Sequence, residues 1–232
     1  MMPGLICVIV STIVAYLLTL LIFQIMNANS RFVITINREL GSGGRTVGRK
    51  LAEKLGVEYF DKAVINALQE RYNLSVEQIE QLKGQETGWW EQFKRKMTFS
   101  EAEYELNQTN IETEDVFRAE TQVLKALAKE HSCVIAGRTA CYVFREHPNH
   151  LSIFIQASMP CRMARVAREQ NMSKEEARMT IEKVDKMREN YVQEFTGTSR
   201  YDTRNYQLVI NMDEINEDAA VDLILAYIKR ME

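Results

Sequence analysis

Residues 32–55 read FVITINRELGSGGRTVGRKLAEKL. The first six, 32–37, are mostly aromatic or β-branched, which predicts a short strand. Val47, Leu51 and Leu55 then recur four apart, so a single apolar face predicts a helix over 44–55. Between the two lies a glycine cluster: five of the chain's ten glycines fall between residues 41 and 56, four of them in GSGGRTVG. Glycines at such a junction let successive backbone N–H groups converge, and the helix N-terminus adds partial positive charge. Strand, glycine loop and helix in that order suit the cradling of phosphate oxygens.

Outward from this stretch, apolar runs keep alternating with helical patterns. Residues 61–72 read as a helix with Val64, Ile65 and Leu68 on one face, and Ser75 with Gln78 resembles a capping box. A polar stretch holding Trp89, Trp90 and the Lys94, Arg95, Lys96 run follows. Helix 115–130, strand 133–136, strand 151–156, helices 160–170 and 173–193, strand 207–211 and helix 218–229 complete the chain. Strands separated by helices predict an α/β domain over 31–232, its parallel sheet covered on both faces. A helical insertion is expected between residues 70 and 115.

The first thirty residues differ. The run 5–26, LICVIVSTIVAYLLTLLIFQIM, carries no charge, and at about 1.5 Å per residue it spans a hydrocarbon core of roughly 30 Å. Arg31, Arg38, Arg45, Arg49 and Lys50 follow it and no basic residue precedes it. The expectation is a transmembrane helix over 5–26 that anchors a cytoplasmic body. Translation from Met26 would instead leave that body free in the cytoplasm.

Composition narrows the function classes. The 232 residues carry a formal charge of −3, against a nucleic-acid polymer as partner. Cys7, Cys133, Cys141 and Cys161 form no C-x-x-C pair, and His131, His147 and His150 suggest no metal centre. Laid on the pattern G-x-x-x-x-G-K-[ST], residues 39–46 put Gly44 on the second glycine, Arg45 on the lysine and Thr46 on the magnesium-holding hydroxyl. Glu39 takes the first glycine. The match is degenerate, and by itself a tight turn would explain it equally well. Arg keeps the lysine's charge but is forked and bulkier.

Further segments add to the loop: LGVEYFDKAVI at 55–65, FRAETQVLKALAKEHSCVIAGRTACYVF at 117–144 and HLSIFIQASMPCRMARV at 150–166. VDKMRENYVQEFTG at 184–197 and YQLVIN at 206–211 complete the series. In this order they resemble the cytidylate kinase-like family, relatives of the nucleoside monophosphate kinases, over about residues 31–230. The resemblance implies a P-loop kinase fold with a five-stranded parallel sheet, flanking helices and an arginine-bearing lid. It implies ATP and Mg²⁺ as cofactors and a small nucleotide substrate such as CMP, phosphorylated by positioning and charge neutralisation.

By the same resemblance Gly41, Ser42, Gly43, Gly44, Arg45 and Thr46 would bind the nucleotide phosphates, with Thr46 on the metal. Asp61, Arg138 and Asp185 would face the acceptor, and Arg45, Arg162, Arg165 and Arg188 would meet the transferring group. Two departures stand out: the loop lysine is missing, and Thr139 follows Gly137 and Arg138 where cytidylate kinases carry Asp. A nucleotide-binding module at the membrane that no longer catalyses is the rival expectation. The acceptor and the oligomeric state are left open.

Overall fold

The computed structural model describes residues 31–61, 114–137 and 139–231. The expected span at 5–26, most of the helix at 61–72, the Ser75 capping box and the insertion with Trp89 and Trp90 lie outside the described residues. Among the described residues no helix is long and apolar enough to cross a membrane.

Five strands form one sheet in the order β2-β3-β1-β4-β5, every pair parallel. They are β1 (Val33–Arg38), β2 (Glu58–Phe60), β3 (Cys133–Ala136), β4 (His150–Gln156) and β5 (Leu208–Asn211). The helices are α1 (Gly44–Leu55), α2 (Glu114–Glu130), α3 (Ala140–Val143), α4 (Met159–Gln170), α5 (Lys174–Thr196) and α6 (Glu217–Met231). β1 is central, pairing Ile34 with Val134 on one side and with Leu151 on the other, and all six of its residues are buried. A parallel strand covered on both faces has no solvent side to alternate with, and in β1 the polar Thr35, Asn37 and Arg38 are buried along with Val33, Ile34 and Ile36.

Two cores follow from that burial. Val33, Phe60 and Ile135 pack with Val123, Leu124 and Leu127 of α2 on one face. Ile34, Ile36, Val134, Ile153 and Ile155 pack with Val47 and Leu51 of α1 and with Val221 and Ile224 of α6 on the other. A third cluster joins Leu40, in the loop after β1, to Val166 of α4 and to Ala177 and Ile181 of α5. The arginine-bearing helices are therefore fixed to the glycine loop by an apolar contact.

The predicted helix 44–55 matches α1, which ends at left-handed Gly56. The other predicted elements in the described residues are shifted by a few residues at most. β2 and α3 were not predicted individually, being three and four residues long. Among the described residues a capping box opens α5: Ser173 accepts from the Glu176 amide and the Glu176 carboxylate accepts from the Ser173 amide.

Candidate active site

The loop after β1 turns at two glycines in the left-handed region, Gly41 (φ 79) and Gly43 (φ 85), the second capping α1. A Cβ on Gly41 would stand 2.8 Å from the Arg162 carbonyl oxygen. The loop closes on itself through the Ser42 hydroxyl, which donates to the Glu39 carbonyl at 2.9 Å. It is tied to β4, where the Glu39 amide donates to Ile155 O at 3.1 Å, and beyond, where Ala157 N donates to the Glu39 carboxylate at 3.1 Å. Burial pushes the Glu39 carboxyl above its ordinary range, against the lowering effect of the Ala157 amide and Arg162.

Over this loop opens a cleft of about 290 Å³, walled by Gly41, Gly43, Gly44 and Thr46 and by four arginines, Arg38, Arg45, Arg165 and Arg188. It sits at the carboxyl ends of the strands, where open parallel sheets bind ligands. Its cations come from three directions: β1, the start of α1, and the pair α4–α5. Such a wall suits a polyanion.

The expected site residues other than Arg138 each have a definite place. Gly41, Gly43, Gly44, Arg45 and Thr46 line the cleft with Arg165 and Arg188. Arg45 is held by the buried Asp61, its Nη2 at 2.8 Å and its Nε at 3.1 Å from Oδ2. Arg165 is bonded to Glu217 at the start of α6. Arg188 donates to the Arg38 carbonyl at 3.3 Å. Arg138 lies outside the described residues.

Arg162 and Asp185 stand apart from the residues that line the cleft. Both are buried and neither lines the cleft; they pair with one another at 2.5 Å. Asp185 Oδ1 accepts the Leu40 amide at 3.1 Å, and Arg162 Nε stands 3.6 Å from Glu39. Their charges neutralise each other beneath the loop, so they shape it from below. Asp61 likewise faces Arg45 as its counter-ion. Ser42 directs its hydroxyl back into the loop.

Three residues went unread in the sequence. Arg200 is fully buried and donates to the Arg38 carbonyl and, at 3.4 Å, to Asn37 Oδ1. Glu39 supports the loop as described. Arg38 is a cleft wall residue that the sequence shows only among the charges flanking the apolar run; its place three residues before Gly41 is the available signal.

Magnesium and a nucleotide triphosphate fit this donor set. Thr46 supplies a hydroxyl in the cleft, and among the described residues no group of three or more His, Cys, Asp or Glu side chains could cage a metal. Mg²⁺ in phosphate-transfer sites keeps several waters and is held largely by substrate phosphates rather than by an all-protein cage, and a hydroxyl after the loop is the ligand that the pattern assigns to it.

Known proteins agree with this frame. Two curated relatives, each called a cytidylate kinase, are similar over nearly their whole length. That of Sulfolobus acidocaldarius is 22% identical over 85% of this chain and 94% of its own. That of Pyrococcus horikoshii is 24% identical over 87% of this chain and 91% of its own. Among solved structures, an uncharacterized protein from Eubacterium ventriosum shares the fold with a TM-score of 0.63 and 24% identity, covering 85% of this chain and 98% of its own. The profile of one family matches residues 33–214, from the first strand to just short of the last helix, and by that match the chain belongs to the cytidylate kinase-like family.

Proposed function

We propose that the protein is a phosphotransferase that moves the γ-phosphoryl group of ATP, with Mg²⁺, to a nucleoside monophosphate of the CMP type or another small acceptor. An acceptor phosphate oxygen attacks the γ-phosphorus, the bond from that phosphorus to the β,γ-bridging oxygen breaks, and ADP leaves with that oxygen. The observation that carries this reading is the cleft itself: a glycine loop at a helix N-terminus, walled by arginines from several elements. Phosphoryl transfer asks little covalent chemistry of a protein and much positioning and charge neutralisation.

In this reading the loop amides of Gly41 to Gly44 bind phosphate oxygens and Thr46 holds Mg²⁺. Arg165 and Arg188 meet the transferring group, and Arg138 faces the acceptor. Asp61, Asp185 and Arg162 act at one remove, by fixing Arg45 and the loop. Thr139 in place of an acidic residue bears on which acceptor is chosen, so CMP is one member of the panel below.

The apolar run at 5–26 adds a second part to the proposal, a single span holding this domain at the cytoplasmic face of a membrane. It is supported by the length of the run and the basic flank that follows it. Fractionation of the full chain beside one started at Met26 tests it: both in the soluble fraction would refute the anchor.

The activity is tested with the full chain in detergent, ATP and Mg²⁺, following ADP against CMP, dCMP, UMP, AMP and GMP with a no-acceptor control. Acceptor-dependent ADP supports the reading. ATP binding by calorimetry with no ADP across the panel supports the rival, a nucleotide-binding module without catalysis. The ion pair that engages Arg45 with Asp61 favours that rival, if Arg45 is the only substitute for the loop lysine.

A further inference from the structure

The pattern G-x-x-x-x-G-K-[ST] fits this chain in a second register. Taking Gly43 as the last loop glycine puts Arg38 on the first glycine, Gly44 on the lysine and Arg45 on the hydroxyl, so the role given to Thr46 then rests on its place in the cleft and not on the pattern. The backbone favours this register. Gly43, at φ 85, is the residue that turns the chain into α1, and Gly44 is the first residue of the helix. In the pattern, too, the lysine follows the glycine that ends the loop.

In this register the two ends of the pattern are exchanged: a cation stands where the pattern has glycine, and glycine where it has the cation. The two positions touch. A Cβ on Gly44 would lie 2.6 Å from Arg38 Cβ and 3.1 Å from Arg38 Cγ. Only one of them can send a side chain into that space, and the Arg38 stem fills it. The guanidinium continues to Gly137 at the end of β3, where a Cβ would collide with its Nη1. Gly137 is itself left-handed, at φ 81.

Arg38 is buried, at 9% exposure, and lines the cleft. Yet among the described residues no carboxylate forms an ion pair with it. Three acids around the loop are engaged elsewhere, Glu39 with the Ala157 amide and Arg162, Asp61 with Arg45, Asp185 with Arg162, and Glu169, which also lines the cleft, has interactions of its own. A buried guanidinium without a counter-ion costs free energy, which an arriving anion recovers. Its backbone is also fixed, because the Arg38 carbonyl accepts from both Arg188 and Arg200. The stem is packed, the backbone is clamped, and among the described residues no carboxylate is paired with the charge.

We propose that Arg38 supplies the cation for the β- and γ-phosphates of the nucleoside triphosphate, in exchange for the lysine that Gly44 replaces. This rests on the kinase reading above and names the residue that makes it possible without that lysine.

The test compares the full wild-type chain with Arg38→Met, which keeps an aliphatic stem without the charge, and with the exchange variant Arg38→Gly/Gly44→Lys. Affinities for ATP and AMP are measured by calorimetry, ADP formation by a coupled assay, and folding by near-UV circular dichroism. The expected result is ATP affinity at least tenfold weaker in Arg38→Met, with AMP affinity within twofold of wild type. The exchange variant should return ATP affinity to within about threefold. Arg38→Met with ATP affinity within twofold of wild type overturns the proposal, and so does an equal loss for ATP and AMP. Should Arg38→Met fail to fold, the exchange variant decides: folded with near-wild-type ATP affinity it supports the proposal, and folded without it overturns it. Should neither variant fold, Arg38→Gln, which also removes the charge, decides by the Arg38→Met criterion. Wild type that binds ATP but turns over no acceptor defeats the kinase reading alone, since the affinity comparison still reads Arg38. Wild type that binds no ATP defeats both.

Discussion

Arg162 Nη1 on α4 and Asp185 Oδ2 on α5 meet at 2.5 Å beneath the glycine loop, with both side chains less than a tenth exposed. The other Asp185 oxygen accepts the Leu40 amide at 3.1 Å and stands 3.6 Å from both Arg188 and Arg200. One carboxylate thus ties the loop to two helices and moderates three arginines. Removing one member of a buried pair costs more than the pair is worth, because the other charge is left in a poor solvent. Asp185→Ala should therefore lose about 3–5 kcal/mol in urea unfolding. Asp185→Asn should lose less, since an amide oxygen can still accept from Leu40. A loss under about 1 kcal/mol for the alanine variant would show that the pair does not hold the loop.

Gly41 and Gly56 separate backbone strain from crowding. Both are left-handed, at φ 79 and φ 65, but a Cβ at Gly56 meets nothing within 4 Å whereas one at Gly41 abuts the Arg162 carbonyl. Gly56→Ala should cost about 1–2 kcal/mol, the conformational term alone. Gly41→Ala should cost at least about 1 kcal/mol more, and ATP affinity should fall only in that variant. Equal stability losses and unchanged affinity in both would mean that the loop gives way easily at Gly41.

Much of the fold was legible because burial leaves a local trace. The run at 133–136 is apolar on both sides of the strand, those at 33–38 and 150–156 hold Val33, Ile34, Ile36, Leu151, Ile153, Phe154 and Ile155, and Val47 and Leu51 mark the face of α1. β2 left little trace, since its three residues are an edge whose first two are only half-buried. The site was legible where backbone chemistry decides it: left-handed glycines at 41 and 43 are needed whatever surrounds them. It was not legible where partners decide it. Arg162, Arg165 and Arg188 read alike as helical cations, yet one is sealed against Asp185 and two line the cleft. Sequence spacing carries no sign of which arginine meets a carboxylate 23 positions away.

The acid stability of the fold should depend on His150. Burial, with neighbouring His147, holds its imidazole down at about 4, and its Nε2 lies 2.8 Å from the Thr35 hydroxyl. The unfolded residue titrates near 6.5. Between those values the unfolded chain binds a proton that the folded chain refuses, so stability is complete above about pH 6.5 and declines toward pH 4. The full effect is about 3 kcal/mol. Glu39, whose carboxyl is raised, acts in the opposite sense at the acid end, so the informative quantity is a difference between proteins. Urea unfolding at pH 7.5 and pH 5 should show a smaller loss in His150→Gln than in wild type. Equal losses would mean that His150 accepts a proton in the folded state.

Arg45 and Asp61 decide between the two registers of the loop. The guanidinium keeps 18% of its surface and the carboxylate 4%, so the pair is nearly dry on the acid's side and open to the cleft on the other. Were Arg45 the phosphate cation, it would meet the phosphates with its charge already offset by a buried carboxylate, and that offset would subtract from affinity. As a positioning residue it stays where it is and keeps the first turn of α1 against β2. Arg45→Ala should then lower stability by about 2 kcal/mol, less than for a fully sealed pair. A cycle with Asp61→Asn should show stability coupling above about 1 kcal/mol, and ATP affinity should fall less than threefold. The reverse pattern, unchanged stability with ATP affinity down more than tenfold while Arg38→Met binds normally, would move the cation to Arg45 and restore the first register.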